Sequence, residues 1–195
     1  MTEKSAQVQR CAWPGDHELN IHYHDHEWGV VEHNEQKLFE MLTLEGAQAG
    51  LSWLTILKKR EGYRRLFVDF DVQRVADFDA ARIDTMLLDP AIVRHRGKVE
   101  ATVSNARRIL ALWESGDSLD SVVWECVGGQ PIVNQRDSIA DIPAITSQSK
   151  VLSKNLKKLG FRFVGETTCY AFMQAAGLVN DHEVSCFRYS ECQNL

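Results

Sequence analysis

A carboxylate stands where a helix should bury leucine. In Leu38 to Trp53, LFEMLTLEGAQAGLSW, a helical repeat of about 3.6 residues puts Leu38, Met41, Leu42, Glu45 and Ala49 on one stripe. Four of those five are apolar, so Glu45 points inward unless the helix breaks first. A buried, unpaired carboxylate is costly and tends to take up a proton. Three arrangements answer that constraint. The helix frays at Gly46 and exposes Glu45; or Glu45 meets a buried arginine or lysine; or it lines a pocket for a cation, with aromatic walls such as Trp53.

At 195 residues and 44% hydrophobic, the chain can bury the core of one domain. No apolar run of about 18 residues occurs, and the N-terminus MTEKSAQVQR has no signal-peptide hydrophobic region; the expectation is a soluble, cytoplasmic protein without membrane contact. Five cysteines with no disulfide-like spacing suit a reducing compartment, as thiols or metal ligands. The net charge of −5 argues against nonspecific nucleic-acid binding, yet the charge is uneven. Residues 1–57 hold three Lys/Arg and nine Asp/Glu, whereas residues 58–108 hold twelve and eight. Basic clusters stand at Lys58-Lys59-Arg60, Arg94-His95-Arg96-Gly97-Lys98, Arg107-Arg108 and Lys154 to Arg162. Such runs are usually solvated helix faces, but a local basic face on an acidic protein still binds DNA, because counterion release is local.

The chain reads as all-α, with residues 1–10 a flexible tail, 11–190 a single domain and 191–195 a C-terminal tail. Asn34 caps the first long helix; Leu51 to Leu66 forms a second amphipathic piece; Asp71 and Asp79 cap two short helices. Val99, Val103, Ala106, Leu110 and Trp113 mark a helix closed by Gly116. Residues 117–146 read as irregular, with Gly128-Gly129, Pro131 and Pro143 as breakers. Ser147 is placed to cap a helix through Leu152, Leu156 and Leu159, and a turn bounded by Gly160 and Gly165 leads into another from Thr167 to Ala176. Those glycines let backbone N–H groups gather at a helix start, an anion site suited to one phosphate. An ordinary helical hairpin would show the same two glycines, though Lys154, Lys157, Lys158 and Arg162 surround this one.

Four residues of zinc type are split between the chain ends: Cys11 and His24, His182 and Cys186. Together they make a Cys₂His₂ set, and one zinc held by all four would tie the ends and leave no open catalytic position. His22 and His26 compete with His24, and Cys192 with Cys186; Cys126 and Cys169 read as apolar core.

Cys11-Ala12-Trp13, Tyr23-His24-Asp25-His26-Glu27-Trp28-Gly29, Leu44 to Trp53, Arg94-His95-Arg96-Gly97-Lys98 and Gly177 to His182 together closely resemble the DNA-3-methyladenine glycosylase I family. The resemblance runs in matching order from about Cys11 to Cys186. It implies the helix-hairpin-helix glycosylase fold, with the helix-hairpin-helix at about 147–177 and a structural Zn²⁺ on Cys11, His24, His182 and Cys186, joining the terminal segments. It implies a base pocket of Glu45, Tyr23, Trp28 and Trp53 with Trp13 nearby, Glu45 being the catalytic group. Gly50 and Leu51 would approach the DNA as a wedge, and Lys158, Gly160, Arg162 and Gly165 would grip it. The implied activity is a monomeric, monofunctional enzyme that flips cationic alkylated bases out of double-stranded DNA, chiefly 3-methyladenine. It would hydrolyse their N-glycosidic bonds and so begin base excision repair. Much of the wider superfamily uses an aspartate after the hairpin; Asp181 lies near that location, beside a zinc ligand, and its role is left open.

Two other classes fit parts of the sequence. A zinc-stabilised DNA-binding module would keep the basic face but has no use for a carboxylate amid aromatics. A cysteine or zinc hydrolase needs an exposed Cys–His pair or an open metal position, which four protein ligands oppose.

Overall fold

The computed structural model describes residues 8–193, and a helix carrying Glu45 runs through its middle. That helix, α2 (Glu35–Gln48), follows α1 (Glu18–His26) and begins where the Asn34 side chain accepts from Lys37 N at 3.0 Å. It packs against α3 (Trp53–Leu66), α6 (Arg96–Glu114), α7 (Leu119–Glu125) and α9 (Glu166–Ala175). Contact on so many sides explains its composition: every residue from Leu42 to Ala47 is buried, so the stripe of a surface helix has widened to a whole turn. The short helices α4 (Val72–Ala76) and α5 (Ala80–Met86) start at Asp71 and Asp79, whose carboxylates accept from Arg74 N and Arg82 N. Helix α8 (Ser147–Lys158) packs on α9, and α10 (Phe187–Glu191) closes the described chain.

The helical expectation holds, with local differences. A two-residue parallel pair, β1 (Ile132–Val133) with β2 (Val179–Asn180), ties the segment read as irregular to the C-terminal part. That segment also contains α7, capped by Ser118 and Ser121 in a reciprocal box. The cap of α8 is Thr146, not Ser147. In α6 the buried face ends on Ile109 and Leu112, while Trp113 lies outside and donates its indole N–H to Glu35. The expected tails at 1–10 and 191–195 fall partly outside the described residues. Of the described part, Gln9 O accepts from Phe187 N at 3.0 Å, Arg10 pairs with Asp25 at 2.8 Å, and Cys192 is buried.

Gly46 does not end α2. A Cβ there would meet Phe163 Cβ at 3.3 Å, so the glycine admits the turn between α8 and α9 close to the helix. The helix ends at Gln48, where Lys98 Nζ donates to the carbonyls of Ala47 and Ala49 at 2.8 and 2.7 Å, and Gly50 turns the chain with φ +82°. The buried cation imagined for Glu45 belongs instead to Glu40. Arg60 on α3 reaches Glu40 Oε1 at 2.7 Å and Glu27 Oε2 at 2.6 Å, and Arg64 adds a contact to Glu40 at 2.9 Å. Through Arg60, the helices bearing Tyr23, Glu45 and Trp53 are held together by one side chain.

Candidate active site and Cys/His centre

Glu45 opens into a cavity of about 220 Å³ lined also by Trp13, Tyr23, Trp28, Gln48 and Trp53, with Ile139, Ile142, Ala171 and Gln174 completing it. The space is several times what one water occupies, about 30 Å³. α1 supplies Tyr23, the turn after it Trp28, the first residue of α3 Trp53, and the loop before α1 Trp13. The rings brace one another: Trp13 meets Trp28 edge-on at 5.2 Å, and Tyr23 lies 5.0 Å from Trp53.

Glu45 is 6% exposed, and its Oε2 is buried with no hydrogen-bond partner among the described residues. Burial alone pushes its carboxyl from an ordinary 4.5 up to about 8. The same burial, reinforced by the facing Glu45 and Glu27, holds the Tyr23 phenol well above its usual range. Two more polar atoms of the wall are buried and unpartnered, the indole Nε1–H groups of Trp13 and Trp53. Buried polar groups are almost always paired, so three unpartnered ones on residues lining one cavity mark it as a site for a polar guest. The aromatic faces and the carboxylate suit a flat cation.

Behind the wall the N-terminal and C-terminal segments meet. The donor atoms of Cys11, His24, His182 and Cys186, all buried, lie within 4.8 Å of one another. Cys11 Sγ stands 3.5 Å from His182 Nδ1; Cys186 Sγ stands 3.5 Å from His24 Nε2 and 3.7 Å from His182 Nδ1. Each imidazole is turned by its other nitrogen, His24 Nδ1 to Asp25 at 2.8 Å and His182 Nε2 to the Trp28 carbonyl at 3.0 Å. Arg10 secures Asp25 in turn. The hydrogen bond from Cys11, with help from both histidines, favours the Cys186 thiolate, and that same bond together with burial pushes the Cys11 thiol up. Donor types, burial and spacing fit a tetrahedral ion, whose ligand atoms with legs of 2.0–2.3 Å sit about 3.3–3.8 Å apart. Of the competitors, His22 and His26 stack on each other at 4.4 Å on the exposed side, and Cys192 is buried outside the four. Gly29 is small by necessity, since a Cβ would stand 2.9 Å from His182 Nε2. Trp28 joins the centre to the cavity, its ring 4.6 Å from that of His182.

None of the residues expected on DNA lines the cavity or belongs to the Cys/His cluster. Gly50 and Leu51 form an exposed turn directly after Gln48, flanked by the cavity residues Gln48 and Trp53, with Leu51 41% exposed. Lys158, Gly160 and Arg162 are exposed at the end of α8, and Gly165 caps α9. The turn is clamped from below: Asn105 donates to Arg162 O at 3.0 Å and accepts from Arg162 N at 2.8 Å, and Ser153 donates to Val164 O at 2.6 Å. Gly160, at φ +87°, leaves room for Arg108, which a Cβ would approach to 2.9 Å. Asp181 is fully engaged, taking donors from Asn134, Arg136, Tyr170 and Gln174. Sequence reading missed Gln48, Ile139, Ile142, Ala171 and Gln174; Gln48 alone had a signal, one turn past Glu45 on the same helix face.

An α-helical fold with an ionisable carboxyl in an aromatic cavity, backed by a Cys₂His₂ centre, defines a protein that receives a small planar guest. The chain belongs to the methyladenine glycosylase family, whose profile matches residues 13–189. It is 50% identical over 182 residues to DNA-3-methyladenine glycosylase 1 of Escherichia coli, covering 93% of this chain and 97% of that one. A Haemophilus influenzae DNA-3-methyladenine glycosylase is 50% identical over 177 residues, covering 91% and 96%. Among solved structures, a 3-methyladenine DNA glycosylase I superposes with TM-score 0.90 at 52% identity, covering 92% of this chain and 98% of that one. The Staphylococcus aureus glycosylase, described for its recognition of 3-methyladenine, superposes with TM-score 0.88 at 39% identity, covering 91% and 95%.

The raised Glu45 value fixes the sign of a pH effect in the empty protein. Its folded value lies above its unfolded one, so its favourable contribution is complete below about pH 4.5 and is lost as pH rises to about 8. Glu45→Gln abolishes that loss. The variant should gain stability relative to the native chain across this window, by roughly 3–5 kcal/mol at its upper end. Denaturant unfolding at several pH values checks it; parallel curves for the two proteins would contradict it.

Proposed function

We propose that this chain excises cationic alkylated bases, chiefly 3-methyladenine, from double-stranded DNA by hydrolysing the N-glycosidic bond, beginning base excision repair. The observation that carries the reading is the unpartnered, buried Glu45 among Trp13, Tyr23, Trp28 and Trp53 in one cavity. Family membership supports it: the chain is a DNA glycosylase acting on alkylated bases, a hydrolase of N-glycosyl bonds. Among the described residues no helix is long and apolar enough to cross a membrane.

N3-methyladenine carries a positive charge while still joined to deoxyribose, and leaves as a neutral base. The bond is weak for that reason, and no general acid is required. What remains for the protein is to select the cation, hold it and exclude neutral adenine. Extrusion costs a few kcal/mol, less for a damaged base, and Leu51 on its exposed turn suits the vacated stack. In the cavity the base stacks on aromatic faces, each cation–π contact worth about 0.5–2 kcal/mol. Glu45, protonated when the cavity is empty at neutral pH, ionises against the cation and accepts from its amino edge. It touches the reacting base and is the catalytic residue of this proposal. Neutral adenine offers Glu45 no such return. Among the described residues no lysine lines the cavity, which supports a monofunctional enzyme without strand cleavage.

The turn between α8 and α9 serves as the hairpin of a helix-hairpin-helix, its Gly160–Gly165 backbone with Lys158 and Arg162 holding a DNA phosphate. Cys11, His24, His182 and Cys186 hold a structural Zn²⁺, which supplies cross-linking of the two chain ends when bound. With four protein ligands it has no part in the hydrolysis. The protein acts as a single-domain monomer.

Incubation with alkylated duplex DNA tests the activity. The native chain should release free 3-methyladenine and leave the strand uncut, and Glu45→Gln should lower recognition by roughly 1–3 kcal/mol, about 5- to 150-fold. A native chain that releases no base, or a variant that excises normally, would refute the assignment. For the centre, elemental analysis should find one zinc per chain. Its removal by a strong chelator, or Cys186→Ala, should lower the melting temperature; a zinc-free protein indifferent to chelator would remove the metal from the account.

A further inference from the structure

The cavity has a second acceptor, fixed from outside. Gln174 and Ala171 lie one turn apart on the face of α9 that lines it. The Gln174 side chain is not free to present either end of its amide. Its Nε2 donates to Asp181 Oδ2 at 2.9 Å. Asp181, with a side chain 0% exposed, takes three further donors: Tyr170 OH at 2.5 Å on Oδ2, and Asn134 Nδ2 at 2.8 Å and Arg136 Nε at 2.9 Å on Oδ1. A carboxylate surrounded by donors accepts on every side, so the amide nitrogen must face it and the amide oxygen must face away. No donor among the described residues reaches Gln174 Oε1. One N–H bound to the saturated Asp181 fixes the plane of the amide, whose second N–H remains available and whose oxygen is the acceptor Gln174 can offer the cavity.

We propose that Gln174 Oε1 determines specificity by accepting a hydrogen bond from the exocyclic amino group of the flipped base, with Asp181 as the positioning residue behind it. The proposal rests on the glycosylase reading and adds the edge of the base that is read. An adenine-type base carries an amino donor where a guanine-type base carries a carbonyl. Against a guanine-type base, Oε1 and that carbonyl would oppose two acceptors where the inserted base has displaced water, leaving both unsatisfied. Asp181 so employed is not available to activate a water: its oxygens are filled, its side chain is fully buried, and it acts only through Gln174.

The test counts bases released by the full chain from duplex DNA carrying N3-methyladenine and N3-methylguanine at subsaturating DNA. Gln174→Met keeps the length and loses the acceptor. It should lower methyladenine release, and the ratio of methyladenine to methylguanine, about tenfold at an unchanged melting temperature. Gln174→Leu repeats the measurement with a second apolar replacement. Asp181→Asn lets the two amides pair either way round and should lower the same ratio. Combined with Gln174→Met it should discriminate no worse than Gln174→Met alone, because both changes remove one interaction. A Gln174→Met or Gln174→Leu protein that melts normally and keeps the native ratio overturns the proposal. An Asp181→Asn protein that loses melting temperature with an intact ratio makes Asp181 merely structural and overturns its part. A native chain that releases neither base refutes the glycosylase reading instead.

Discussion

Removing Glu45 from water without giving it a partner is the constraint on which the site depends. The structure holds cations within reach of the same helix and directs each elsewhere. Arg60 and Arg64 are engaged by Glu40 and Glu27, and Lys98 caps the last carbonyls of α2. Glu40 and Glu45 are both buried on α2, five residues apart, yet one has two guanidinium partners and the other an orphaned oxygen. The first is structural; in the proposed function the second, protonated in the empty cavity, ionises only when a cationic guest arrives. Burial of an ionisable group lowers stability unless something compensates, and in the proposed function the compensation arrives with the ligand.

The aromatic wall faces a different difficulty. Trp13, Tyr23 and Trp28 come from an N-terminal stretch whose one helix has nine residues, too short to be rigid alone. It is held from behind by the Cys/His centre and by Asp25 with Arg10, and from the side by the Arg60 link through Glu27. His182 touches Trp28 twice, through its ring and through the Trp28 carbonyl. A metal held by those four residues, as proposed, would therefore brace the pocket as well as tie the N- and C-terminal segments together.

Much of this was legible in the sequence because it obeys local rules. The stripe from Leu38 exposed Glu45 as an anomaly, and Asn34, Asp71 and Asp79 cap where their side chains and positions require. The four donors were legible by residue type, but choosing His24 over His22 and His26 needed the face of α1 that turns inward. A break at Gly46 was one of the arrangements the sequence left open, because the reason for that glycine is tertiary, the approach of Phe163 from more than a hundred residues away. Gln174, Ile139 and Ile142 gave no local sign, since they reach the cavity only through the docking of α9 and the loop after β1. Helix α7 hid between glycines and a serine box whose signal is weak. What sequence could not give was the pairing of buried charges, for which Glu40 and Glu45 look alike.

The central claim is that Glu45 is a neutral acid in the empty cavity and a carboxylate beneath a cationic base. Carbon NMR of the labelled Glu45 carboxyl tests it directly, in the empty protein and with saturating 3,9-dimethyladeninium, a base of permanent positive charge with a methyl in place of the sugar. The midpoint should lie near 8 in the empty protein and fall by more than about one unit when the cation is bound. A midpoint near 4.5 without ligand, or one that the bound cation leaves in place, would contradict the account.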